Sequence, residues 1–367
     1  MSRRNGKIEI LRFFFCMAVL FFHIGSDALG GDKELSPHFS FFALGRTGVE
    51  FFFLVSGFLA AKSAYKVKNK DITIGQDTFN FIFRKIKSIL PYHIFAVLLA
   101  VVLIFSYSDD FLNDIFKRLP SLFFLQRTGI YGLDFISVEW YICSMLLALA
   151  IAYPMMRKNF HLSTLVVFPI VSSLLIGYMS KTYGMMPLTN DFSVFTYSCN
   201  LRAIAVVFLG CFSFAICEKI KKHKFTTFQN ALLVVVENLC WLISVYFVTS
   251  NMSARYDTYI TYFMAVAITL TFRREFNCKI YNNRFVNYLG KLSLPVYLCQ
   301  NVARDIVRNE FDYLSSVQKI LFTAFLAVII GVIAKAVCDA LLNKIKNKND
   351  KNNRKNKGKK VYLLNNS

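Results

Sequence analysis

A chain of 367 residues that is 55% hydrophobic, with 39 phenylalanines, leaves no polar stretch long enough for a separate soluble domain and reads as a membrane protein. Lys plus Arg number 43 against 22 Asp plus Glu, a balance that in a soluble protein would point to nucleic acid. Here the cations gather in short connections and at the carboxyl end, where the bias of basic loops toward the cytoplasm accounts for them with no nucleic-acid partner.

The first apolar run, residues 8–25, is interrupted by Arg12 and His23. Eleven positions at 3.6 residues per turn make almost three whole turns, so the two side chains point the same way, with Cys16 and Val19 on the same line. The pair stands roughly 16 Å apart along the axis, about half of a ~30 Å hydrocarbon core. Ionisable groups at that depth cost roughly 2.5 kcal/mol or more and usually face a cavity or a partner. The plainer alternative has Arg12 snorkelling to the headgroups and His23 bonded to a neighbouring carbonyl. Arg3, Arg4 and Lys7 before this run and Ala28-Leu29-Gly30 after it imitate a secretory signal. The interruptions and the apolar segments that follow make it instead the first span of a polytopic chain.

Ten apolar segments follow one another, about 8–27, 41–61, 88–107, 137–156, 162–180, 201–218, 230–250, 257–272, 286–303 and 320–342, each near the ~20 residues needed to cross a bilayer. The eighth and ninth are the weakest. Basic residues recur in alternate connections, which places both termini in the cytoplasm. The longest outer connection, 108–136, contains a stretch at 111–119 with helical apolar spacing that lies flat in the interface or folds back on the bundle. The nine cysteines fall mostly within apolar runs and none has a C-x-x-C partner, so neither a disulfide framework nor a metal site is expected. The fold expected is all-α, a polytopic transmembrane helical bundle of about ten spans over residues 1–343. A Lys/Asn-rich cytoplasmic tail, 344–367, is expected to lack structure and to be drawn to anionic lipid.

The second helix opens Arg46-Thr47-Gly48-Val49-Glu50, where Arg46 and Glu50, four residues apart, can pair along one face. Glu50 can also approach His23, raising the basicity of its ring and fixing its tautomer as a general base requires. Ser56-Gly57 allow close helix approach. Arg84, Lys85 and Lys87 cluster where the third segment begins, a place suited to a phosphate-bearing cofactor or to anionic lipid.

These residues converge on a family. Arg12 and His23; Gly48-Val49-Glu50-Phe51-Phe52-Phe53-Leu54-Val55-Ser56-Gly57-Phe58; Arg84 and Lys87 followed by Pro91-Tyr92; Trp140-Tyr141-Ile142 with Tyr153-Pro154; and Leu289-Gly290-Lys291-Leu292-Ser293 with Tyr297-Leu298, in this order, resemble the acyltransferase 3 family of integral membrane O-acyltransferases. The resemblance implies a bundle in a bacterial cytoplasmic membrane. It would take an acyl group, usually acetyl from cytoplasmic acetyl-CoA, and deliver it to a hydroxyl of a cell-surface or lipid-linked polysaccharide. It implies His23 as the essential histidine with Arg12 its companion, Glu50 as the acidic position, and Arg84 with Lys87 as the basic one. Lys87 stands where the family often has Arg, and Gln300 where many members have His.

A CoA thioester carries phosphates at one end of a long arm and the reactive acyl at the other, a separation that Arg12 and His23 match. His23 is the expected general base on the glycan hydroxyl, contributing on the order of 10² to 10⁴ in rate, and a covalent acyl-histidine is the other route open to it. The rival readings are a glycan flippase or proton-coupled carrier, for which buried His and Arg are equally natural, and a structural partner of a glycan assembly complex.

Overall fold

The computed structural model describes residues 5–28, 42–67, 72–130, 132–184, 186, 192, 195–250, 253–274, 281 and 283–364. Its elements are helices: α1 (Gly6–Ala28), α2 (Gly48–Lys66), α3 (Ile74–Tyr107), α4 (Phe111–Leu122), α5 (Trp140–Lys158), α6 (Phe160–Leu162), α7 (Phe168–Tyr183), α8 (Ser198–Lys222), α9 (Thr227–Thr249), α10 (Asp257–Arg273), α11 (Arg284–Glu310) and α12 (Ser316–Leu364). A π-helical stretch, Ser163–Val167, joins α6 to α7 as one rod. No strand forms among the described residues. The caps are local in origin. Asn5 accepts from the amides of Lys7 and Ile8 to start α1, Thr226 and Gln229 form a capping box on α9, and Asn283 accepts from Val286 to start α11.

Each of the ten expected spans falls on one of these long rods, and eight of the rods are long and apolar enough to cross a membrane. The two that fall short are α10 and α11, at the weakest apolar segments. The first has only 17 residues, and the second carries Lys291, Arg304, Asp305 and Arg308. Helix α3 starts well before the expected residue 88, and Pro91 lies inside it without ending it. Its early turns are held by Asp77, which pairs with Arg157 at 2.8 Å and accepts from Tyr153 at 3.0 Å.

Burial separates centre from rim. In the apolar windows of α2, α5 and α8, 67–72% of residues are buried, against 28% in α3 and α9 and 33% in α12. The rim helices present Leu98, Val102 and Phe105, or Leu321 and Phe325, outward, as a lipid-facing surface should. At the centre α2 and α8 nearly touch. A Cβ on Gly57 would stand 2.1 Å from the Val207 carbonyl oxygen, and one on Gly210 would stand 2.2 Å from that of Leu54. The close approach expected of Gly57 is therefore met by a glycine on the facing helix. Gly57→Ala must push two backbones apart, and we expect it to cost about 1–3 kcal/mol as overpacking does. A lowered melting temperature of the detergent-purified protein would show this, and an unchanged one would refute the contact.

Three expectations change. Arg46 and Glu50 do not pair along their helix, because each is taken by another helix: Arg46 by Asp257 and Glu50 by Arg202, both at 2.6 Å. The outer connection forms an amphipathic helix and then folds back on the bundle. Helix α4 leaves Leu112, Phe116 and Leu119 exposed along one face, while its last turn and the segment after it fold into the bundle and bury Ser121, Phe124 and Gln126. At the carboxyl end, α12 continues to Leu364 through the tail expected to lack structure; that stretch contains no proline, and lysine is a good helix former.

Candidate active site

Helices α1 and α11 lie side by side. Cys16 donates to the Ser293 carbonyl at 3.1 Å, and the charge of Arg304 reaches His23. From Cys16 to His23 is seven residues and from Ser293 to Arg304 eleven, both counted toward the same end, so the two helices run parallel. The line Arg12, Cys16, Val19 and His23 therefore faces a polar line on α11: Ser293, Tyr297, Asn301 and Arg304. Polar side chains at spacings of three and four on an inward face explain why α11 is too polar to pass for a span.

At the basic end of this line is a cavity of about 150 Å³. Arg12 of α1 and Lys85 of α3 line it, with hydroxyls from Ser56, Tyr141, Ser293 and Tyr297 and apolar walls from Phe52, Ile89 and Met145. Arg12 and Lys85 feel each other's charge, and no carboxylate among the described residues pairs with either. Two unneutralised cations in an otherwise hydroxyl- and apolar-lined pocket favour an anion.

At the far end is a second cavity of about 270 Å³, lined by Arg118, Asp134, Ser137, Asn301, Arg304 and Asp305, with Ala100 and Ile104 of α3 on its apolar side. Carboxylates, guanidinia, an amide and a hydroxyl converge there, a donor and acceptor mixture suited to a polyhydroxylated ligand. Asp134, in the connection before α5, pairs with Arg127 at 2.7 Å, and burial pushes its carboxyl up against the pull of that guanidinium. Asn200 of α8 holds the Arg127 carbonyl at 2.8 Å and so fixes this connection to the bundle.

Helices α3 and α11 supply lining to both cavities, and the chain entering α5 joins them, with Ser137 in the far cavity and Tyr141 of α5 in the basic one. A family comparison settles what kind of protein is built this way: the acyltransferase 3 domain matches residues 5–338. The chain belongs to the acyltransferase 3 family. It is a multi-pass membrane acyltransferase. No curated protein and no solved structure matches the chain.

Within this acyltransferase, the residues singled out from sequence separate into three groups. Arg12 and Lys85 meet in the basic cavity. Arg84 and Lys87 are exposed and do not line it, although each is next in sequence to a lining residue, Lys85 or Ser88. His23 is partly buried at the other end of α1, beside Arg304 of the far cavity. Glu50 is fully buried, but its Oε1 is committed to Arg202 rather than to His23. Among the described residues no group of His, Cys, Asp and Glu could hold a metal. The residues that sequence reading passed over are Tyr141 and Tyr297 as cavity walls, Arg304 beside His23, and the buried pair His93 and Glu139. The last pair left a signal: a histidine directly after Pro91-Tyr92 and a glutamate just before Trp140-Tyr141 are polar residues within apolar segments.

Proposed function

We propose that this protein moves an acetyl, or another short acyl, group from cytoplasmic acyl-CoA to a hydroxyl of a cell-surface or lipid-linked polysaccharide in a bacterial cytoplasmic membrane. The observation that carries the reading is the pair of cavities sharing helices α3 and α11, one holding unpaired cations and the other the polar mixture that suits a sugar. The basic cavity is taken as the cytoplasmic one, since basic connections favour that side. At about 150 Å³ it is smaller than the ~300–1,000 Å³ of a drug-sized ligand's pocket. It suits the phosphates of the donor, held by Arg12 and Lys85, with the nucleotide outside, where Arg84 and Lys87 are exposed, and the thioester arm extending inward toward His23. The glycan enters the far cavity.

His23 is proposed as the general base on the acceptor hydroxyl, with Arg304 beside it stabilising the oxyanion that develops on the attacked carbonyl. Electrophile and nucleophile thus arrive from opposite sides of one bundle, and no water-filled passage is needed for the glycan to cross. The test is transfer of labelled acetyl from acetyl-CoA to glycan in proteoliposomes, comparing the parent with His23→Ala at matched abundance. Transfer should fall by about 10² to 10⁴ in the variant. Undiminished transfer removes His23 as the base. Glycan crossing with no consumption of thioester by the parent replaces the enzyme with a carrier.

A further inference from the structure

Between the two cavities is a partition that holds a buried histidine and a buried carboxylate. On α3 the buried stripe runs Ile89, His93, Ala96, Val97 and Ala100. Ile89 lines the basic cavity and Ala100 the far one, so at 1.5 Å per residue His93 is about 6 Å beyond the first and about 10 Å short of the second. On the α5 side Ser137 lines the far cavity and Tyr141 the basic one, with Glu139 midway. On α11, Tyr297 of the basic cavity donates to the Val138 carbonyl at 3.2 Å, and Asn301 of the far cavity donates to Ser137. Helices α3 and α11 and the turn that enters α5 thus close the partition at one level.

His93 and Glu139 are both fully buried, and Nδ1 of the histidine is 3.4 Å from Oε1 of the glutamate. Neither ring nitrogen completes a hydrogen bond, although the Leu122 carbonyl is near the ring, and Phe124 packs against it with centroids 4.4 Å apart. The other carboxylate oxygen accepts from Ser121, which itself accepts from the Phe135 amide at 3.2 Å. Glu139 is therefore oriented from behind while its free oxygen faces the imidazole. A polar pair of this kind in an apolar partition is costly to keep, and a carboxylate behind an imidazole is the arrangement that orients the ring and supports its charged form.

We infer that His93, oriented by Glu139, is the proton donor to the leaving sulfur. This rests on the acyl-transfer reading above. In the reaction the acceptor oxygen bonds to the acyl carbon and the carbon–sulfur bond breaks. The hydroxyl proton goes to His23, and the thiolate takes a proton from the protonated His93, giving free CoA thiol. Each histidine then exchanges with water on its own side, so the proton count closes. The chemistry has two ends, a hydroxyl to be deprotonated and a sulfur to be protonated, and α1 and α3 each supply one histidine.

The experiment uses the full chain in proteoliposomes with acetyl-CoA and a glycan acceptor, measuring the parent, His93→Gln, His93→Ala and Glu139→Gln. Thermal stability of each purified protein is read alongside. Transfer by His93→Ala and His93→Gln should fall by about 10² to 10⁴, and Glu139→Gln should show a smaller loss. Added imidazole should restore His93→Ala in proportion to its concentration, because the truncated side chain leaves room beside the basic cavity; a purely structural histidine would give no such rescue. Parent-like transfer by His93→Gln overturns the assignment, as does a loss in folded His93→Ala that imidazole leaves untouched. A parent that releases no CoA from acetyl-CoA overturns the acyl-transfer reading itself, a failure distinct from loss confined to the His93 variants.

Discussion

Replacing Arg202 with alanine is expected to deplete the folded protein from the membrane. Its guanidinium bonds to Oε1 of Glu50 at 2.6 Å and also contacts the Arg46 carbonyl at 3.4 Å, while the ring of Trp140 is 5.6 Å from its central carbon. Beside it Arg46 pairs with Asp257 at 2.6 Å, so two cations and two carboxylates from the start of α2, from α8 and from α10 neutralise one another inside the bundle. Oε2 of Glu50 already lacks a hydrogen-bond partner. Without Arg202 the whole carboxylate would be stranded away from water. Breaking a buried pair from one side costs about 3–5 kcal/mol, a large part of a total stability that is typically about 5–15 kcal/mol.

Membrane abundance of a fluorescent fusion and the melting temperature in detergent measure the effect. Replacing both Glu50 and Arg202 with leucine removes the charges together, and such exchanges are often neutral; abundance should therefore recover relative to Arg202→Ala. A double variant no more abundant than the single one would refute the pairing as the cause. Acetyl transfer by the recovered double variant then assigns Glu50: retained transfer makes it a structural ion-pair partner, and lost transfer returns it to the chemistry.

What sequence could supply here follows from distance along the chain. The alignment of Arg12 with His23 is a property of one helix, so periodicity gave it, and the helix opposite bears it out by placing Ser293, Tyr297 and Arg304 along the same line. Gly57 was legible as a small residue, but its counterpart Gly210 was not, because a crossing point depends on two helices at once. The partners of Arg46 and Glu50 are 211 and 152 positions away in the chain, whereas the pairing inferred from spacing was local. Tertiary packing overrode an exposed-helix rule that holds when nothing else competes for the charges. The weakness of the ninth apolar segment also has a physical origin: α11 turns polar residues toward two cavities, so its low hydropathy marks an inward polar face. His93 and Glu139 stood in plain view as polar residues in apolar runs, and only the third dimension joins them across 46 positions.

Removing both cations of the basic cavity is expected to weaken the donor far more than it slows the chemistry. Arg12 has no hydrogen-bond partner at Nε, and neither it nor Lys85 is neutralised by a carboxylate among the described residues, so both are free to hold phosphate. Hydrogen bonds to charged groups contribute about 1.5–3 kcal/mol each. Arg12→Ala or Lys85→Ala alone should then raise KM for acyl-CoA by roughly 10- to 150-fold, and the double variant by more than either. The gain from the second substitution should fall short of additive. Two cations close enough to feel each other repel while the cavity is empty, and removing the first relieves the second, which is the coupling expected of neighbours.

Lys85→Arg should keep most of the affinity and Arg12→Lys less, since a guanidinium fork grips phosphate through two parallel bonds and an ammonium through one. Steady-state transfer in proteoliposomes over a range of acetyl-CoA separates the cases: a rise in KM at constant kcat places both residues on the donor's phosphates, where they bind ground state and transition state alike. A fall in kcat with KM unchanged would instead mean that Arg12 acts on the reacting thioester. The approximately 16 Å that one helix sets between Arg12 and His23 would then no longer be the span between the donor's anchored end and its acyl group.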